Sequence, residues 1–189
     1  MSKVLTEKDY ADAARSLKCE VEAVKAVAKV ESRGAGFLPD GQVKILYEPH
    51  IFGRYTGYKF SKTHPDLSRT SWSRTAYGAG GQHQHNKLAR AVVLDREAAL
   101  MSCSWGAFQV MGFNWKVCGY KSLQAFINDM YTAAGQLRAF VGYVKGRSLA
   151  DELQRRDWAG FALGYNGPGY KENQYDTKMA NEYNRLTRR

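Results

Sequence analysis

No stretch of the 189-residue chain approaches the roughly 18 uninterrupted apolar residues of a membrane-spanning helix, which excludes a helical bilayer span. The first residues, Met1-Ser2-Lys3-Val4-Leu5-Thr6-Glu7-Lys8-Asp9, lack the apolar core of a secretory signal. The expectation is a protein that stays in the cytoplasm of the cell that makes it, with no stable membrane insertion. Cysteine is scarce: Cys19, Cys103 and Cys118 form an odd set without CxxC spacing, which predicts reduced, packed thiols and no disulfide framework. There are no repeats, no low-complexity tract, no obvious linker, no dense basic arm and no nucleic-acid-binding motif.

What is abundant is positive charge. Lys and Arg number 28 against 18 Asp and Glu, giving a net charge of +10. Such a field concentrates polyanions, and nucleic acid, anionic lipid and bacterial cell-wall polymers all qualify. Charge says that the partner is anionic and says no more. The length fits one domain, or one domain with a small lobe, and 44% hydrophobic residues with 13% aromatics can fill its core.

The hydrophobic period is mostly helical. Thr6 followed by Asp9 resembles a capping box, with Tyr10, Ala13, Ala14 and Leu17 on one stripe. A second helix is expected from about Glu20 to Arg33, stopped by Gly34. Residues 34–80 break this period with Gly, Pro and polar residues, which predicts an irregular segment with a short hairpin or a short helix near Pro49 to Arg54. From Gln84 the period returns. Leu123, Phe126, Ile127, Met130, Ala134, Leu137, Val141 and Val144 predict one central buried helix ending at Lys145-Gly146-Arg147. Further helices are expected over 148–155, 157–164 and from Gly169 to Leu186. The fold class is therefore mainly α, a single domain over residues 1–189 with one small irregular lobe.

One side chain conflicts with its face. At about 100° per residue, Glu31 falls on the same side as Val21, Val24 and Ala28. Burying that charge is costly, and the helix dipole is negative at the last turn. Both effects favour the protonated form, which is what a general acid needs. The plainer reading is a helix-end carboxylate reaching solvent or pairing with Arg33 or a lysine.

The surrounding motifs tip the balance. Val30-Glu31-Ser32-Arg33-Gly34, then Ser104-Trp105-Gly106-Ala107-Phe108-Gln109-Val110-Met111, then Gly164-Tyr165-Asn166-Gly167-Pro168-Gly169-Tyr170 resemble, in order, three elements shared by goose-type lysozymes and lytic transglycosylases. Phe37-Leu38-Pro39-Asp40-Gly41 with Ile45-Leu46-Tyr47-Glu48-Pro49-His50-Ile51-Phe52 is similar to a block of the phage and prophage N-acetylmuramidases, a lysozyme-like endolysin family. Leu94 through Leu100 and Gly164 through Asp176 fit the same pattern, so the resemblance runs from about residue 20 to 186.

The resemblance implies a lysozyme-like fold and hydrolysis of the β-1,4 bond between N-acetylmuramic acid and N-acetylglucosamine in bacterial peptidoglycan, for host lysis. It implies Glu31 as proton donor and offers Glu48 as a second carboxylate, against a structural role for Glu48 through backbone or Arg54. Ser104 and Gln109 are expected to line the sugar sites or fix the loop beside Glu31, with helix capping the plainer role for Ser104. Tyr165 and Asn166 are expected to face the cleft, as a flat face for a pyranose and a hydrogen-bond partner for an N-acetyl group. Asp40 reads as a turn residue, and Trp105 and Trp115 as core. No cofactor and no metal is implied. Many relatives carry an added wall-binding module; none is expected here, so the cleft and the positive charge must find the wall. The expected enzyme is a monomer made in the host cytoplasm and released by a holin-type pore.

Three other readings remain. Lytic transglycosylases share the Glu and both later motifs, and give 1,6-anhydro products without a second carboxylate. A zinc amidase or peptidase would draw on His83 and His85 with His50, His64 or a cysteine, although the spacing fits no strong zinc motif and the pair follows a Gly-rich loop that reads as solvated. A basic nucleic-acid-binding protein fits the charge but no motif, and Glu31 on an apolar face argues against it.

Overall fold

The computed structural model describes residues 2–32 and 36–188. The expected helix stop at Gly34 and any pairing of Glu31 with Arg33 lie outside the described residues. Thr6 opens α1 (Glu7–Leu17) with a reciprocal cap: its hydroxyl accepts from the Asp9 N–H, and the Asp9 carboxylate accepts from the Thr6 N–H at 2.8 Å. Such a cap contributes about 1 kcal/mol. The stripe buries Ala13, Ala14 and Leu17 against α2 (Val21–Glu31), whose core side carries Ala23, Val24, Val27 and Ala28.

The irregular lobe has the short helix expected near Pro49 but draws its strand partner from outside the lobe. Its strand β1 (Ile45–Tyr47) finds no local partner. It pairs antiparallel with β2 (Cys103–Trp105), Ile45 opposite Trp105, and β2 continues the sheet to β3 (Val110–Met111). Among the described residues of this segment, local pairing is a single bridge, Phe37 to Val43, closed by a turn in which Asp40 Oδ1 accepts from the Gln42 N–H and Gly41 takes φ +87°. Asp40 is thus the turn residue its neighbours suggested. A short helix, α3 (Pro49–Tyr55), does form, with Pro49 in the first turn where no donor is missed. The helices α4 (Gln82–Leu94) and α5 (Arg96–Met101) then lead into β2, with Asp95 capping α5.

The predicted central helix is two helices. α6 (Leu123–Asp129) stops, and Thr132 restarts the chain as α7 (Ala133–Gly146) by accepting from the Gly135 N–H at 2.9 Å. The break escapes a periodicity argument because both helices bury the same stripe: Phe126, Leu137, Phe140 and Val144 lie in one core. The two backbones approach so closely that a Cβ on Gly135 would lie 1.9 Å from the Asp129 carbonyl oxygen. α8 (Ala150–Arg155) and α9 (Trp158–Asn166) follow as expected. The last helix begins later than its pattern suggests. Residues 168–173 form a 3₁₀ segment, Gln174 turns at φ +53°, and α10 runs over Tyr175–Thr187 to pack on α2. The core joins Val24, Val27, Phe126, Phe140, Phe161 and Met179, all essentially solvent-free. Cys103 and Cys118 are buried free thiols and Cys19 is a half-buried one.

Candidate active site

Glu31 is the last residue of α2 and is only 7% exposed. It opens onto a cavity of about 330 Å³ whose wall also contains Glu48, Ser104, Gln109, Tyr165 and Asn166. Six residues from four separated motifs therefore share one hollow. They arrive from five places in the fold: Glu31 ends α2, Glu48 follows β1, Ser104 lies in β2, Gln109 precedes β3, and Tyr165 and Asn166 end α9. A larger cavity, about 680 Å³, lies between α1 and α7 and contains none of them. Size does not locate the chemistry.

The Asn166 amide donates to Glu31 Oε1 at 2.8 Å. Asn166 faces the cavity as expected of it, and its amide nitrogen is directed at the carboxylate. Tyr165 also faces the cavity, as expected. Its ring stacks on Phe161 at 5.6 Å and meets Phe140 and Tyr143 edge-on, while its hydroxyl donates to the Phe108 carbonyl at 3.3 Å. The ring is a partly buried member of an aromatic cluster that forms this side of the cavity wall. Burial pushes its hydroxyl pKa well up, and the nearby Glu31 charge adds to that.

Ser104 caps no helix. Its hydroxyl donates to Gln109 Oε1 at 2.8 Å, and Gln109 Nε2 donates to the Gly106 carbonyl at 2.8 Å. Together they tie the β2–β3 loop, in which Gln109 and Gly106 both take positive φ. A residue that sequence reasoning missed clamps the same loop from outside. Gln136, 2% exposed, accepts from the Ala107 N–H at 2.8 Å and donates to the carbonyls of Met130 and Gly36 at 2.8 and 3.3 Å. Its one signal was an amide inside the apolar stripe of α7.

Glu48 sits in the mouth of α3, its side chain 14% exposed. Tyr77 donates to its Oε2 at 2.8 Å, and His50 Nδ1 lies 3.3 Å away. Burial pushes the Glu48 carboxyl pKa up, opposed by the Tyr77 hydrogen bond and the His50 charge. Tyr77 was absent from the sequence reading, and Gln84 entered it only as the point where the helical period returns. The latter, 1% exposed, accepts from the Tyr47 N–H at 3.0 Å and donates to the carbonyls of Tyr77 and Ala79. His83 and His85 follow the exposed Gly-rich loop, as expected, and lie in the first turn of α4; His83 is exposed, and His85 is engaged with the Val43 carbonyl. Among the described residues no three His, Cys, Asp or Glu side chains gather as a metal site. Trp105 is core, 2% exposed, and Trp115 is partly buried against the same core.

Such a cavity holds two carboxyl groups in unlike settings, one fixed by an amide at a helix end and one held by a phenol. The family model of N-acetylmuramidase matches residues 20–187. The crystal structure of an endolysin from the Burkholderia phage AP3 superposes with a TM-score of 0.93 at 41% identity, covering 99% of this chain and 73% of that one. No curated protein matches significantly.

Proposed function

The chain belongs to the N-acetylmuramidase family, a family of peptidoglycan glycoside hydrolases, and on that footing we propose that Glu31 is the general acid of an endolysin cutting between N-acetylmuramic acid and N-acetylglucosamine. The observation that carries this reading is the buried Glu31 carboxyl, held by Asn166 in a cavity that Glu48 also lines. Glu31 gives its proton to the leaving glycosidic oxygen as the bond breaks. Glu48 then serves as the second carboxylate, either attacking the anomeric carbon or taking a proton from the incoming water. Asn166 keeps the Glu31 carboxyl aimed, and the Ser104–Gln109 tie keeps the β2–β3 loop in shape beside it. The positive net charge draws the enzyme to the anionic wall, and a pore made by another protein releases it from the host cytoplasm.

Replacement Glu31→Gln tests the assignment. The amide retains shape and a hydrogen-bonding oxygen but has no proton to give. Lysis of wall material should cease while the circular dichroism spectrum and melting temperature stay close to wild type. Retention of most activity would defeat the assignment.

One observation favours a second reading. Glu48 Oε2 is already engaged by Tyr77 and His50, as a structural carboxylate would be. If Glu48 takes no chemical part, Glu31 alone can serve as acid and base for the sugar's own 6-hydroxyl, as in lytic transglycosylases, with no water added.

A further inference from the structure

Trp72 is 60% exposed, yet it is firmly tethered. Its indole N–H donates to the Tyr77 hydroxyl at 2.7 Å, and the rings meet near edge-to-face at 6.3 Å. Tyr77 donates onward to Glu48 Oε2. The backbone beneath is pinned from α4: Gln84 and Lys87, 1% and 5% exposed, donate to the Tyr77 carbonyl at 2.8 and 3.2 Å, and Lys87 also bonds the Ala76 carbonyl. Burying an ammonium group is costly, and burial here pushes its pKa down. The protein thus commits a buried lysine and a buried glutamine to a segment whose most prominent side chain faces water. An exposed aromatic ring held in place in this way is a pre-organised contact surface.

The cavity around Glu31 and Glu48 measures about 330 Å³, room for a small ligand but not for a polymer. A glycan strand must continue across the neighbouring surface. We infer that Trp72 is the platform of an outlying saccharide subsite on the Glu48 side of the cleft, taking one pyranose ring of the strand. The inference rests on the muramidase reading of the cavity. A pyranose offers a face of C–H groups that complements the electron-rich face of an indole, and no charged partner is needed. Tyr77 acts as a positioning residue between the two sites, since its hydroxyl accepts from Trp72 and donates to Glu48.

Kinetics on peptide-free glycan strands of graded length tests the subsite, with wild type, Trp72→Ala and Trp72→Phe compared. On long strands Trp72→Ala should raise KM about five- to tenfold, the scale of one lost stacking contact, with kcat little changed. On the shortest strand cleaved, KM should move much less, and Trp72→Phe, which restores a ring, should recover most of the loss. A KM for Trp72→Ala equal to wild type at every length overturns the subsite. So does an equal loss at every length, which would make Trp72 a packing residue. Binding gives a second readout on the Glu31→Gln background: long strands should quench tryptophan fluorescence, and Trp72→Phe should remove that quenching. Unchanged quenching in Trp72→Phe overturns the subsite. A wild-type enzyme that turns over no strand at all would instead overturn the muramidase reading, and the quenching experiment would still decide the subsite.

Discussion

The Asn166 side-chain amide donates to the Glu31 carboxylate at 2.8 Å, joining the C-terminal ends of α9 and α2 across 135 positions of sequence. A helix end gives a carboxyl a place but not an orientation; the amide supplies the orientation. Asn166→Ala should leave α2 and α9 folded and lower kcat about ten- to a hundredfold with KM nearly constant, the signature of lost aim at the reacting bond. Steady-state kinetics on solubilised glycan checks this, and an unchanged kcat would remove Asn166 from the account.

Glu48 ties activity to pH-dependent stability. Burial raises its folded-state pKa above that of the unfolded chain. Its contribution to stability is therefore fully present below the unfolded value and is lost as pH rises through the folded value. Glu48→Gln carries no charge at any pH and can still accept from Tyr77. The variant should melt higher than wild type at neutral pH, with the gap closing as pH falls toward the ordinary carboxylate range. Its activity should drop at least about a hundredfold. Thermal scans at several pH values, run beside lysis assays, read both effects.

The loop clamp has a separate cost. Gln136→Leu would leave the Ala107 N–H and the Met130 carbonyl without the partners they have at 2.8 Å. Each unsatisfied buried group costs about 1–3 kcal/mol, so the variant should lose roughly 2–6 kcal/mol by urea denaturation. Activity should fall with it, because the same loop presents Gln109 to the cavity.

The close approach of α6 and α7 sets a sign that propensity alone gets wrong. Gly→Ala inside a helix ordinarily gains roughly 0.5–1 kcal/mol. At Gly135 the new methyl would lie 1.9 Å from the Asp129 carbonyl oxygen, which is backbone and cannot swing away. Overpacking of that kind costs about 1–3 kcal/mol, so Gly135→Ala should lower the melting temperature.

What the sequence made legible follows from which forces are local. Thr6 and Asp9 sit one turn apart, so their cap is visible in the residues themselves, and so is the apolar face that carries Glu31. The resemblance brought Glu48, Ser104, Gln109, Tyr165 and Asn166 to the same site, and all of them line the cavity. Partners were harder to read. Nothing in the sequence announced the bond from Asn166 to Glu31 or the stacking of Tyr165 on Phe161. Contacts set by tertiary structure leave little local trace. β1 finds its partner in β2, Tyr77 reaches Glu48, and Gln136 holds Ala107, and in none of these cases does spacing announce the pairing. Gln84 was overlooked between two histidines that suggested a metal.

The central claim is hydrolysis of the muramic acid bond with Glu31 as acid, and the most direct test is mass spectrometry of the fragments released from purified peptidoglycan. The account predicts muropeptides ending in reducing N-acetylmuramic acid, one water heavier than the anhydro form, and none from Glu31→Gln. Products carrying a 1,6-anhydro ring would contradict the role given to Glu48 and make the enzyme a lytic transglycosylase. Reducing ends at N-acetylglucosamine, or intact glycan with cut peptides, would contradict the bond itself.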